Sequence, residues 1–396
     1  MLISGLHTWK GLARSVAAVA LSIPCQTANA ILPVPPPPCP TNLSSKSAEQ
    51  LRNRIADPTK ADWWRACAAE SLAERGADAI PTLIQLLKNR DISTQLLAID
   101  HLGEAKEHGG TVREAVPLIV QHLKTYNTND PYIQDQIYRV YWVLEFLGKD
   151  ATPAIPIFIE KSKSNAPGAL VPESYWAIQA LGRIGNYDAQ RIVPHLIQFL
   201  DEPSHRVDAA NALANMAASA RSAVPALNHH LEAAITSPSD KFSESLMWAL
   251  ARCADNATTV ATLTPLLVAP GFELQAANAL RGIGPAARPA IPYLLNRLEN
   301  SSSAANEKLV DVLALLAIDP NSVETLQRIL AQATRSNSYD IADELAHAKS
   351  LPAALAPDLQ KAIDTSSDTR LRQLYIDALK QTHVLPVSPA RRPHSL

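Results

Sequence analysis

Arg191-Ile-Val-Pro194-His-Leu196-Ile197-Gln-Phe199-Leu200 is followed, after the break Asp201-Glu-Pro203-Ser204, by Arg206-Val207-Asp-Ala209-Ala210-Asn-Ala212-Leu213-Ala214-Asn-Met216. Leucine, isoleucine and phenylalanine recur at helical spacing in the first half, and the second half is rich in alanine. Pro194 lacks an amide donor and fixes its own φ, which predicts it in the first turn of a helix, where that donor is unpaired in any case. The small residues of the second half let two helices approach closely. The stretch therefore reads as a helical hairpin too small to bury its own apolar face.

The hairpin repeats. Its first-helix register returns at Pro81, Pro117, Pro156, Pro194, Pro225, Ala261, Pro292, Glu324 and Pro357, in steps of 31 to 39 residues. The Ala-Leu seam of the second helix returns at Ala180-Leu181, Ala212-Leu213, Ala249-Leu250, Ala279-Leu280, Ala314-Leu315 and Ala378-Leu379. A further unit precedes these, Leu51 to Ile55 and then Trp63 to Leu72, with Trp63 and Trp64 suited to closing the end of the stack. Such periodicity means a linear array in which each unit leans on its neighbours. The predicted fold is all-α, an α-solenoid of about ten stacked hairpins across residues 47–382. Period-two runs rich in Val, Ile and Thr are missing, which argues against a sheet.

The seam and the arginine seven residues before it, Arg206 before Leu213 and Arg65 before Leu72, resemble the HEAT repeat family, in particular its short HEAT-like variety seen in phycobilisome-lyase proteins. Ser174 and Glu273 hold that arginine position in other units, so the polar ladder the resemblance implies is incomplete. The resemblance implies architecture and leaves activity open. Phycobilin lyases suggest a chromophore-handling enzyme as a rival to a binding scaffold, and a structural cell-envelope component is a third reading.

The first thirty residues read as an export signal, removed after Ala30. Lys10 and Arg14 precede the apolar Val16–Ile23, and Ala28-Asn29-Ala30 has the small-x-small form of a cleavage site. Pro24 before Cys25 argues against lipid anchoring. A periplasmic or secreted location follows, which speaks against the lyase reading, since those enzymes act inside the cell. Residues 31–46, opening Ile31-Leu-Pro33-Val-Pro35, read as a stiff polyproline linker, with a ligand role as the alternative. Residues 383–396 read as a frayed tail.

Loss of the signal takes the formal charge from −2 to −4. A mildly acidic array whose one basic run is Arg391-Arg392 is a poor match for phosphate backbones, so nucleic acid is not an expected partner. Three cysteines remain. Cys39 and Cys67 could pair in an oxidising compartment, while Cys253 reads as a small buried hydrophobe.

No catalytic motif is present: no Gly-x-Ser-x-Gly elbow, no phosphate-cradling loop, no His-Glu-x-x-His. His101, Glu104 and His108 share a helix face but lack a defined ligand pattern, and His229-His230 point in different directions. No metal or cofactor is expected. Gly182-Arg-Ile-Gly185 and Gly282-Ile-Gly284 read as helix stops.

If the seam faces inward, residues two and five before each seam leucine share the open face of the second helices. The first row is Asp100, Glu145, Gln179, Asn211, Trp248, Asn278, Leu313, Asp343 and Asp377. The second is Leu97, Trp142, Trp176, Asp208, Ser245, Gln275, Val310, Asp340 and Leu374. Aromatics among amides suit a protein or peptide partner, because rings supply contact area and amides supply orientation. The candidate partner-binding residues are Trp142, Glu145, Trp176, Gln179, Asn211 and Trp248, with Tyr138 and Tyr141 nearby. The alternative is that Trp142 and Trp176 fill gaps between the longest repeats.

Overall fold

A computed structural model describes residues 38–126, 131–163, 172–235, 241–300, 305–336 and 338–383. The expected export signal, the first part of the Pro-rich linker and the tail from residue 384 lie outside the described residues. Helices pair along the chain: α1 (Ala48–Ile55) with α2 (Asp62–Ala73), α3 (Ile80–Leu87) with α4 (Ile92–Glu107), and α5 (Val116–Thr125) with α6 (Pro131–Leu147). Then come α7 (Ile155–Lys161) with α8 (Glu173–Ile184), α9 (Ala189–Phe199) with α10 (Arg206–Met216), and α11 (Val224–Ile235) with α12 (Lys241–Cys253). The last four pairs are α13 (Asn256–Leu263) and α14 (Glu273–Ile283), α15 (Ile291–Asn300) and α16 (Ala305–Ile318), α17 (Val323–Ser336) and α18 (Tyr339–Ala346), and α19 (Ala356–Thr365) and α20 (Thr369–Lys380). No strand occurs among the described residues, and no helix of theirs is long and apolar enough to cross a membrane.

The seam leucines Leu102, Leu147, Leu181, Leu213, Leu250, Leu280, Leu315, Leu345 and Leu379 are all buried. Each even-numbered helix packs on the next, from α2 through α20, so the second helices form one continuous layer. Small residues set that approach. A Cβ built on Gly182 of α8 would lie 2.6 Å from the Cα of Ala212 in α10, and one on Gly185 would lie 2.5 Å from the sulfur of Met216. Both glycines serve close packing; Gly182 lies inside α8, which corrects its reading as a helix stop, while Gly185 does cap α8, in an ordinary right-handed conformation from which the chain runs on into a 3-10 turn. Gly284, at φ +69°, does end α14.

Pro194 is also corrected. It stands inside α9, which begins five residues earlier at Ala189, whereas Pro81, Pro117, Pro156 and Pro357 occupy first turns. The longer start follows from Ile192 and Val193, both buried in phase with Leu196.

Polar ties join successive units. Arg65 is buried: its Nε–H donates to the Ile55 carbonyl at 2.8 Å, and its Nη2 reaches Asp91 at 2.7 Å and Thr94 at 2.6 Å at the start of α4. Arg206 instead lies over the ring of Phe242 in α12, 4.7 Å from its centroid. Where Ser174 holds the arginine position, the adjacent buried Glu173 accepts from Tyr141 Oη at 3.0 Å and pairs with Lys161 at 3.2 Å. Tyr141 is therefore core and not part of any open face.

Cys39 and Cys67 form a disulfide that fastens the segment before α1 to α2. Cys67 points inward, and buried Leu43 plugs the end of the stack. Trp63 packs against the same core, while Arg54 lies over Trp64, 4.8 Å from its centroid. Cys253 is fully buried; its thiol donates to the Leu213 carbonyl at 3.2 Å, and desolvation pushes its pKa up to about 12.

Candidate functional site

Of the two predicted rows, Asn211, Ser245, Trp248, Gln275 and Asn278 line one cleft, and the rows are not evenly open. Trp142 on α6 is 54% exposed and stacks on Phe146 four residues later, with ring centroids 5.9 Å apart. Trp176 on α8 is half-buried between Tyr138, at 5.8 Å, and Tyr175, at 4.9 Å. Leu97 and Ser245, from the same row, are buried. Gln179 and Asn211 are partly exposed, and Trp248 is 40% exposed.

Glu145 is sunk beside Trp142, its side chain only 11% exposed, and it meets the Arg183 guanidinium of α8 at 3.0 Å. Burial raises its pKa to about 7, because Arg183 is itself mostly in solvent and relieves little of the desolvation. One unit earlier, Asp100 of α4 pairs with Arg139 of α6 and is raised by burial to about 6. Each carboxylate is thus met by an arginine from the following unit. Tyr175 and Asp208 are also raised by burial, and Tyr175 lies in the field of both Asp208 and Glu145.

Farther along, α10, α12 and α14 enclose a cleft of about 340 Å³ lined by Val207, Asn211, Lys241, Glu244, Ser245, Trp248, Gln275, Asn278 and Ala279. Of the predicted binding residues, the cleft brings together Asn211 and Trp248; Trp142, Glu145, Trp176 and Gln179 lie outside its walls. Ser245, Gln275 and Asn278 belonged to the two rows without being singled out. Lys241 and Glu244 were missed, although nine and six residues before Leu250 they fall on the same helix face.

Trp248 is held from three helices. The Arg252 guanidinium lies 5.4 Å from the indole centroid, and its Nε–H donates to the Ala214 carbonyl of α10 at 2.6 Å. A Cβ on Gly282 of α14 would come within 3.1 Å of the indole, so the glycine makes room for the ring. The walls are thus one fixed aromatic, three amides that can both donate and accept, and a single charge of each sign.

His101 is buried with Nδ1 2.7 Å from the Leu97 carbonyl, and no His, Cys, Asp or Glu cluster among the described residues has metal-binding geometry.

Residues 175–202, from α8 to the turn before α10, match a family model described as the PBS lyase HEAT-like repeat. No curated protein sequence matches the chain. Among solved structures, Kap121p bound to Ste12p superposes with a TM-score of 0.52 at 15% identity over 85% of this chain, and Kap121p bound to Nup53p with 0.51 at 15% over 85%. This chain spans about two-fifths of those karyopherin chains, 41% in each case. The CpcE–CpcF complex of phycocyanin lyase from Nostoc sp. PCC7120 is 18% identical over 67% of this chain and 94% of its own, with a TM-score of 0.37. Periodic sequence, paired helices and the superposition on Kap121p converge: the chain is an α-solenoid of stacked helical pairs, of which residues 175–202 match the HEAT-like repeat.

Proposed function

We propose that this protein is an exported, non-catalytic scaffold that binds a protein or peptide along the surface of its second helices. The observation that carries the reading is the cleft across α10, α12 and α14, where Trp248 stands exposed among Asn211, Gln275 and Asn278. An exposed, pre-positioned indole contributes large contact area at low entropic cost, and flanking amides orient a peptide main chain. The stacked Trp142 and Phe146 extend the surface two units toward the N-terminus. Kap121p, of the same fold, is bound to Ste12p in one structure and to Nup53p in another. Export is supported by the Lys10 to Ala30 pattern and by the Cys39–Cys67 disulfide, a bond that persists in oxidising compartments.

The test is affinity capture from the native compartment with the wild type, with Trp248→Ala and with Trp142→Ala plus Trp176→Ala. A partner lost on Trp248→Ala supports the reading. A partner retained by both variants refutes it. Sequencing the mature N-terminus tests export, with Ile31 as the expected first residue.

A further inference from the structure

We infer that the cleft across α10, α12 and α14 takes a polyproline II segment of a partner protein, uncharged along the part that lies in the cleft. The inference rests on the reading of the second helices as a peptide-binding surface and says which peptide. Three features select it.

The first is pitch. α10 packs directly on α12 and α12 on α14, and helices packed side by side run roughly 8–10 Å apart. A polyproline II chain advances about 3.1 Å per residue with three residues per turn, so it presents the same face every ~9.3 Å. It therefore shows each successive second helix an equivalent position. A β-strand repeats its face every two residues, about 6.6 Å, and falls out of step by the second helix.

The second feature is hydrogen-bonding capacity. A polyproline II chain makes no internal backbone hydrogen bonds, and proline has no N–H, so its carbonyls need donors from outside. Asn211 on α10 and Gln275 and Asn278 on α14 stand on the two sides of Trp248 and carry amide donors. The indole supplies a flat apolar surface of the kind on which proline rings dock.

The third is charge. Lys241 and Glu244 offset one another, and the rest of the wall is uncharged. The cleft thus complements a neutral main chain better than a phosphate or a strongly charged peptide.

The test uses the mature chain and three capped ten-residue peptides: one proline-rich, one of glycine and serine, and one of alternating valine and threonine. Binding is followed by calorimetry and by tryptophan fluorescence. The proline-rich peptide is expected to bind, to weaken at least tenfold with Trp248→Ala, and to weaken with Asn211→Ala plus Asn278→Ala. The helical circular dichroism and melting temperature of each variant are checked, and the exposed-site Asn278→Ala serves if Trp248→Ala folds poorly. Equal binding by either control peptide, or proline-rich binding that survives Trp248→Ala, overturns the inference. A photo-crosslinker at Gln275 separates the two levels. A native partner that crosslinks there and is not displaced by the proline-rich peptide sinks this inference and leaves the surface reading standing. No partner crosslink and no peptide binding sinks both.

Discussion

Reducing the Cys39–Cys67 bond should loosen one end of the array and nothing else. The bond joins positions 28 residues apart, and closing a loop of that size removes unfolded-chain entropy worth about 3.5 kcal/mol at room temperature. In a compact domain that loss would spread over the whole cooperative unit. In a stack, where units contact only their neighbours, it falls on the terminal pair α1 and α2, whose core is Leu43, Leu51, Ile55 and Leu72. Hydrogen exchange by mass spectrometry, with and without a phosphine reductant, reads this directly. Amides of α1 and α2 should exchange up to about 300-fold faster, at 1.4 kcal/mol per decade, while α12 to α20 stay unchanged. Cys253 does not confuse the result, being buried and held as a thiol. Cys39→Ser with Cys67→Ala should reproduce the pattern without reductant. Uniform acceleration through α20 would refute the argument that stability is local, and unchanged protection in α1 would refute the role given to the bond.

Glu145, raised to about 7 from an ordinary carboxylate value, binds its proton more tightly folded than unfolded, so its ionisation destabilises the fold as pH rises through that range. Glu145→Gln should remove this loss, at most about 3 kcal/mol, so that variant and wild type melt alike near pH 4.5 and the variant melts higher at pH 8. Gly182→Ala should cost about 1–3 kcal/mol in a denaturant melt, because its methyl meets the backbone of Ala212 at 2.6 Å. Gly103→Ala, where the nearest atom is 3.8 Å away, should instead be neutral or stabilise α4 by up to about 1 kcal/mol. Arg65→Met should destabilise the first two units by about 3 kcal/mol, with faster exchange at the start of α4, since Asp91 and Thr94 lose their shared donor.

What could be read from sequence was whatever the helical period determines. The seam leucines lie where the period puts them, and the helix Arg206–Met216 has the boundaries its residues announce. The proline pattern alone puts the start of α9 too late, because Ile192 and Val193, in phase with Leu196, carry the helix back to Ala189. Counting two and five residues from each leucine placed Asn211, Trp248, Gln275 and Asn278 on one face, yet it could not say which neighbours converge into a cleft. That depends on distances between units, set by contacts such as Gly182 against Ala212. Nor does the period distinguish an open position from a sunken one. Glu145 shares the phase of Trp248, yet its side chain is largely buried against the next unit while the indole stands open.

The support of Trp248 limits how this cleft can be transplanted. Its indole belongs to α12, the cation beside it is anchored on a carbonyl of α10, and the space it occupies is left by Gly282 of α14. Grafting the tryptophan alone onto a designed array would give a ring free to swing. Three consecutive modules must travel together, so the smallest portable unit that keeps this cleft intact runs from α9 to α14.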